Sequence, residues 1–190
     1  MLVLLDRDGV LNEDRQDSVK APEELVFIKG SVEAVATLKR AGHFVVVVTN
    51  QSVVGRGIIN HDTLDRIHEK LGLALSRAGG RLDDILVCPD PPWAASERRK
   101  PAPGMLNEAI SRFAALPTET VMIGDALRDL QAAAAAGCRR ILVLSGKGRE
   151  TLDAGLPDDV QPVAVYDDLA AASDGLLSAQ SSGGSPTVQE

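Results

Sequence analysis

Six short apolar runs punctuate the chain: Leu2–Leu5, Phe44–Val48, Ile85–Val87, Val121–Ile123, Ile141–Leu144 and Val163–Val165. Their length and β-branched content predict buried strands. Between them the apolar period lengthens to that of a helix. Leu64, Ile67, Leu71 and Leu75 fall on one stripe, as the core face of an amphipathic helix does. Further helices are predicted over about Ser31–Arg40, with Gly42 as a candidate C-cap, and around Met105–Ala115 after Pro103-Gly104. The Ala-rich stretch 126–136, closed by Gly137, predicts another. Strands alternating with helices predict an α/β fold, a doubly wound, mostly parallel sheet with helices on both faces.

Length and composition narrow this picture. With 190 residues, 44% hydrophobic and 25% charged, the chain suits one domain with its own core. From about Ser178 it reads Ser-Ala-Gln-Ser-Ser-Gly-Gly-Ser, small and polar. The expectation is one domain over 1–177 and a flexible tail over 178–190. Cys88 and Cys138 share no motif, so no disulfide framework is expected. No run approaches a membrane span, and the first residues lack a basic stretch before their apolar run. A cytoplasmic protein without membrane contact is expected.

The net charge of −7 and 3% aromatics argue against nucleic acid as a partner. The charge is uneven, however. Residues 150–190 hold eight acids and no Lys or Arg, so the first 149 residues are nearly neutral at +1. Anion chemistry is therefore expected in that first part.

In an open parallel sheet, ligands bind beyond the carboxyl ends of the strands. After the first run stands Asp6-Arg7-Asp8-Gly9-Val10-Leu11-Asn12, after the second Thr49-Asn50-Gln51-Ser52, and after the fourth Gly124-Asp125 with Asp129 beyond. Arg98-Arg99-Lys100-Pro101 precedes the helix after the third. Converging carboxylates need a counter-ion, and Mg2+ prefers oxygen ligands. Asp6, Asp8 and Asp125 are its candidate ligands, Asp8 through its backbone carbonyl. Thr49 and Lys100 are candidates for the oxygens of an anionic substrate. Two residues apart, Asp6 and Asp8 can divide the labour of phosphoryl transfer, one attacking phosphorus and the other handling protons.

Taken singly, each motif has a plainer reading. Asp-x-Asp and Thr-Asn are turn signals, Asp125 is a helix cap, and Arg98-Arg99-Lys100 is a solvated charge run. Four motifs in order at strand ends favour catalysis. The three histidines, His43, His61 and His68, lie apart and are expected to take no part. Arg56, between two glycines, is either a phosphate ligand or a surface charge. Trp93 is expected to anchor its loop.

These motifs resemble those of the haloacid dehalogenase superfamily of phosphohydrolases, in order over residues 6–129. The longer stretches Asp6–Asn12, Val48–Ser52 with Gly55-Arg56-Gly57, Arg99–Met105, Gly124-Asp125 and, after Asp129, Leu130–Ala133 resemble its heptose-bisphosphate and histidinol phosphatase family. The resemblance implies a Rossmann-like haloacid dehalogenase fold and a Mg2+-dependent phosphomonoesterase with an aspartyl-phosphate intermediate. It implies Asp6 as nucleophile, Asp8 as general acid and base, and Thr49, Asn50 and Lys100 as phosphate binders. Asp125 would ligate Mg2+, with Asp129 in support. Asn12, Asp14, Arg15, Gln16, Asp17, Gln51, Ser52, Arg56 and Arg99 would contact substrate, Arg99 at a second phosphate. The expected substrate is a heptose 1,7-bisphosphate losing its 7-phosphate, with histidinol phosphate or another small phosphate as alternative. A phospho-acceptor signalling module is the non-enzyme alternative. A monomer is expected.

The family often carries a zinc ribbon before Arg-Lys-Pro. Here the segment reads Cys88-Pro89-Asp90-Pro91-Pro92-Trp93-Ala94-Ala95-Ser96-Glu97-Arg98, with a single soft ligand. A tetrahedral site needs four, so no structural zinc is expected. About 41 residues separate Asp8 from Thr49, too few for a separate cap, so an open site is expected.

Overall fold

The computed structural model describes residues 1–181. It holds one six-stranded sheet: β1 (Leu2–Leu5), β2 (Phe44–Asn50), β3 (Asp84–Cys88), β4 (Thr120–Gly124), β5 (Arg139–Val143) and β6 (Ala164–Tyr166). All neighbours are parallel, in the order β3-β2-β1-β4-β5-β6. Each expected strand is present, within two residues at either end. The helices are α1 (Ser31–Arg40), α2 (Ser52–Gly55), α3 (His61–Arg77), α4 (Gly104–Arg112), α5 (Leu127–Ala135), α6 (Gly148–Asp153) and α7 (Leu169–Ser181).

Period-two alternation along the strands builds two cores. Val3, Leu5, Val45, Val47, Val121 and Ile123 point to one face. There they meet Val35 and Leu38 of α1, Ile67, Leu71 and Leu75 of α3, and Leu169, Ala172 and Leu176 of α7. Leu2, Leu4, Val46, Val48 and Met122 point to the other, against Met105, Leu106 and Ala109 of α4 and Ala132 and Ala133 of α5. Cys88 and Cys138 are buried free thiols on this second side. Gly42 and Gly137 take the left-handed φ that ends their helices.

The expected tail corrects at its start. Residues 178–181 continue α7, because Leu169, Ala172 and Leu176 form a stripe that docks on α1. Small side chains misled the expectation, since a buried partner face outweighs weak polarity. Residues 182–190 lie outside the described residues. Among the described residues no helix is long and apolar enough to cross a membrane.

Strand order reverses between β1 and β4, and such a switch point opens a crevice at the strands' carboxyl ends. Two long connections border it: residues 6–30, with one 3-10 turn at Pro22–Glu24, and residues 89–103, with another at Pro92–Ala94. Neither forms a cap domain. Lys70 of α3 ties down the first by donating to the carbonyls of Pro22 and Leu25 at 2.7 and 2.9 Å.

If α7 is integral to the fold, Leu176→Ala should lower unfolding free energy by about 2–5 kcal/mol, the usual range for emptying a buried leucine site. Urea melts would show this as a lower midpoint at unchanged slope. An unaltered midpoint would mean α7 is dispensable.

Candidate active site

Asp6 follows the last residue of β1. Its backbone N–H still donates to Ile123 O at 3.0 Å, so the sheet itself fixes the carboxylate's origin. Asp125 follows β4, the neighbouring strand. Asp129 sits in the first turn of α5, where its Oδ2 accepts from Ala126 N at 3.1 Å. One ligand oxygen from each of Asp6, Asp125 and Asp129 lies within 4.8 Å of the others, and all three residues are buried.

Lys100 stands among them, 1% exposed. Its Nζ meets Asp6 Oδ1 at 3.1 Å, Asp129 Oδ1 at 2.6 Å and Val48 O at 2.8 Å. The contact to Val48 O is a hydrogen bond, and the two to the carboxylates are ion pairs. The Asp129 and Asp6 charges hold the lysine above its ordinary pKa although burial pushes it down.

One cation cannot neutralise three carboxylates. Burial raises the Asp6 carboxyl above its usual range, and Lys100 recovers only part of that. Asp125 is pushed up to about 7 by burial and by the Asp6 and Asp129 charges. Asp125 Oδ1 is buried without a hydrogen-bond partner, while Oδ2 accepts from Lys147 N at 2.8 Å. A free carboxylate oxygen among three oxygen donors suits a hard divalent cation such as Mg2+. Backbone closes around it. Gly9 has a φ of 84°, and a Cβ there would lie 2.0 Å from Asp125 Oδ2. A Cβ on Gly146 would lie 2.3 Å from the same atom. Only glycine lets both segments pass so close.

Asp8 is held apart from this cluster. Arg7 Nη2 donates to both of its oxygens at 3.0 Å. Asn12 Nδ2 donates to Oδ1 at 2.9 Å and Gln51 Nε2 to Oδ2 at 2.8 Å. Burial raises its carboxyl, but the Arg7 charge and these bonds outweigh that and keep it below the usual range.

A cavity of about 200 Å3 opens here. It is lined by Asp6, Asp8, Asp14, Arg15, Gln16, Asn50, Gln51, Ser52 and Arg99, with Ser18, Arg128 and Lys147. Ligand pockets usually hold about 300–1,000 Å3, so this one admits part of a substrate and leaves the rest on an open rim.

Most expected residues thus converge, several with altered surroundings. Asn12 is fully buried behind Asp8 instead of facing substrate. Asn50 spends its amide on the backbone of Lys100, donating at 2.9 Å and accepting at 3.2 Å. Thr49, 1% exposed, accepts from Gln51 Nε2 at 2.9 Å. Asp17 is exposed and turns to Lys20 and Arg15. Arg56 is exposed and does not line the cavity. Trp93 is 75% exposed, on a turn that buries none of its residues, so it does not anchor the loop as expected. That loop is instead braced by Asp90, whose carboxylate accepts from Ser96 N and whose carbonyl accepts from Arg99 Nη1 at 2.7 Å.

Four residues escaped the sequence reading: Arg7, His68, Arg128 and Lys147. Arg7 stands within the Asp-x-Asp motif. Beside a buried strand end, such an arginine must find a carboxylate. Arg128 lies in the first turn of α5, where the helix dipole disfavours a cation, and that mismatch signals a role. Burial pushes its pKa down, but Asp129, Asp6, Asp125 and Asp14 outweigh that and raise it. Its Nε is buried without a partner. Lys147 pairs with Asp14 at 2.9 Å.

A family model described as HAD-hydrolase-like matches residues 97–172. The D-glycero-β-D-manno-heptose-1,7-bisphosphate 7-phosphatase of Bordetella bronchiseptica is 44% identical over 177 residues, 93% of this chain and 97% of that one. Its Pseudomonas putida counterpart is 42% identical over 177 residues, covering 93% and 99%. The crystal structure of D,D-heptose 1,7-bisphosphate phosphatase from B. bronchiseptica, complexed with magnesium and phosphate, matches with a TM-score of 0.89 at 44% identity over 94% of this chain and 98% of that one.

Since Asp125 holds a proton up to about pH 7, Mg2+ must displace it. Without Mg2+ this raised carboxyl makes the folded state bind more protons than the unfolded one between about pH 4 and 7. Stability should then fall as pH rises through that window. Thermal melts titrated with Mg2+ should show apparent affinity weakening by about tenfold per pH unit below pH 6.5, one proton being displaced. Asp125→Asn should abolish the trend. A Mg2+ response independent of pH would contradict the assignment.

Proposed function

The chain belongs to the haloacid dehalogenase-like phosphatases, in the heptose-1,7-bisphosphate 7-phosphatase family, and from this we propose how its residues remove the 7-phosphate of D-glycero-D-manno-heptose 1,7-bisphosphate. The observation that carries the reading is the nucleophile's setting. Asp6 ends β1, is held by Lys100, shares a cation-ready carboxylate cluster with Asp125 and Asp129, and faces the same cavity as Asp8.

A bound Mg2+ would be held by Asp6, Asp125 and the Asp8 carbonyl, supported by Asp129, and would supply charge neutralisation for the transferring phosphoryl group. Asp6 attacks phosphorus with Oδ2, the carboxylate oxygen that Lys100 leaves free, so an Oδ2–P bond of an aspartyl phosphate forms as the P–O ester bond breaks. Asp8, ionised in the empty site, takes up the proton that a monoanionic phosphate ester brings with it and passes it to the departing ester oxygen. In the second half, Asp8 takes a proton from a water, whose oxygen attacks phosphorus and returns Asp6 as a carboxylate. A phospho-acceptor module needs no such group beside its aspartate, so a well-held Asp8 favours turnover over signalling.

The distribution of charge supports a place for the second phosphate. Lys100 and Mg2+ together offset Asp6, Asp125 and Asp129. Arg7 offsets Asp8, Lys147 offsets Asp14, and Arg15 is shared by Asp17 and Glu24. Arg99 and Arg128 remain, both lining the cavity and close enough to repel each other. Two guanidiniums without a direct ion-pair partner suit one phosphate dianion, although the nearby carboxylates act on Arg128 from a distance. Asp14, Arg15, Gln16, Gln51 and Ser52 edge the same cavity and would meet the sugar.

Turnover on a panel containing heptose 1,7-bisphosphate, a heptose monophosphate and histidinol phosphate tests the substrate. Wild type should prefer the bisphosphate and require Mg2+, and Asp6→Asn should lose activity by at least about 10³-fold. A preference for histidinol phosphate, or phosphate release by Asp6→Asn at the wild-type rate, would refute the reading. Replacing Arg99 or Arg128 by Ala should raise KM for the bisphosphate by about tenfold or more, the weight of one charge-assisted contact, and erase selectivity over the monophosphate. Retained selectivity in both variants would remove the guanidinium pair from substrate recognition.

A further inference from the structure

Arg7, between the two catalytic carboxylates, is fully buried. Its Nη2 forks Asp8, its Nη1 lies 3.2 Å from His68 Nε2, and its Nε has no partner. We propose that His68 is a positioning residue for the phosphatase reaction: through its Nε2 lone pair it pins the Arg7 guanidinium, and the pinned guanidinium fixes the plane of the Asp8 carboxylate. The inference rests on the acid/base reading of Asp8 given above.

The geometry forces the direction of each bond. A guanidinium only donates, so Nε2 of His68 must be the acceptor, and the ring's proton sits on Nδ1. A protonated ring would place two donors face to face. Burial and the Arg7 charge hold His68 near a pKa of about 4, so the imidazole is neutral across the range in which such an enzyme works. Histidine as a charge switch is thereby excluded, and histidine as a fixed acceptor remains.

The chain supplies both ends of the strut on rigid elements. His68 lies in α3, between Leu64 and Leu71 of the stripe that packs on the sheet, so its backbone cannot drift. Arg7 follows the end of β1, and its carbonyl accepts from the N–H groups of Leu11 and Asn12 at 2.8 and 3.2 Å. The long flexible middle of Arg7 crosses between them. Without His68, Nη1 would join Nε as a buried donor without a partner, and the guanidinium would rotate to satisfy one of them. Nη2 cannot then bond both Asp8 oxygens. Asn12 and Gln51 would still hold one oxygen each, so Asp8 would stay in place, but without the two-pronged Arg7 contact its plane would be less narrowly fixed. Misorientation of that size costs rate and not binding.

The test compares His68→Leu, which keeps bulk, with His68→Gln, whose amide oxygen can accept from Arg7. Two substrates separate the steps. A sugar phosphate needs a proton on its leaving oxygen, whereas p-nitrophenyl phosphate does not. His68→Leu should lower kcat on the sugar phosphate on the order of 10- to 100-fold at unchanged KM. Rapid-quench measurement should find phosphoryl transfer from p-nitrophenyl phosphate near the wild-type rate, and His68→Gln should recover most of the loss. Wild-type kcat in His68→Leu, equal loss on both substrates, or no recovery in His68→Gln would each overturn the proposal. Should His68→Leu not fold, His68→Met takes its place against His68→Gln. Asp8→Asn is the control. If it too loses transfer equally on both substrates, the acid/base reading of Asp8 has failed and not the strut alone.

Discussion

Three carboxylates are buried together around a single ammonium that pairs with only two of them, Asp6 and Asp129, and most of the fold's peculiarities answer to that. Two carboxylates about 4 Å apart repel by roughly 4 kcal/mol at an effective dielectric near 20. A chain that buries Asp6, Asp125 and Asp129 together must hold them by force. It does so from the most rigid places available: the carboxyl ends of the two central strands and the first turn of the helix between β4 and β5. The N-terminal end of α5 also carries a partial positive charge, which favours Asp129 there. Lys100 takes the charge from −3 to −2 and no further. The remaining −2 is a specification for a divalent cation, written in the fold.

This constraint propagates outward through close approach. The cluster fits only because Gly9, Gly146 and Gly124 bring backbone where a side chain would collide with Asp125 or Asp129. Asn50 at the end of β2 fixes the Lys100 backbone in both directions, so the ammonium arrives with its reach already spent on the correct partners. Gln51, the next residue, ties Thr49 to Asp8. Residues that look like substrate binders by position therefore act largely on one another. The site is preorganised before an anion arrives, which is where electrostatic catalysis gets most of its advantage.

The sequence was legible where local pattern and global fold agree. Strands announced themselves because buried parallel strands are continuous Val/Ile/Leu runs, and Asp6, Lys100 and Asp125 because each stands just beyond such a run or just before a helix. Boundaries at Ser31–Arg40 could be read because a glycine closes the helix. Less legible were contacts that depend on tertiary distance. Asp8 and His68 are 60 residues apart, joined only through Arg7, and nothing in either neighbourhood marks the pair. Asn12 and Asp17 sit in one loop, yet the first turns inward and the second outward. That depends on how residues 6–30 fold back over α3, through Lys70 among others. The helical continuation to Ser181 was hidden for a related reason, since its stability comes from the surface of α1 and not from its own composition.

The chain's acidity and its anionic substrate are reconciled by the same accounting. Eight acids without a compensating base lie beyond residue 149, and the cavity lining draws only on residues 6–147. Within that lining Asp8 and Asp14 have Arg7 and Lys147 as partners, Asp6 has Lys100, and Arg99 and Arg128 are cations without a direct ion-pair partner. Lacking a cap, the site cannot exclude wrong substrates by closing over them. With about 200 Å3 to fill, it cannot enclose a sugar bisphosphate either. Discrimination must then come from the second charged end of the substrate, because a buried monoester phosphate is common to every competitor. On the reading proposed above, the two guanidiniums lining the cavity would let an open haloacid dehalogenase-like core distinguish a bisphosphate from the many monophosphates around it.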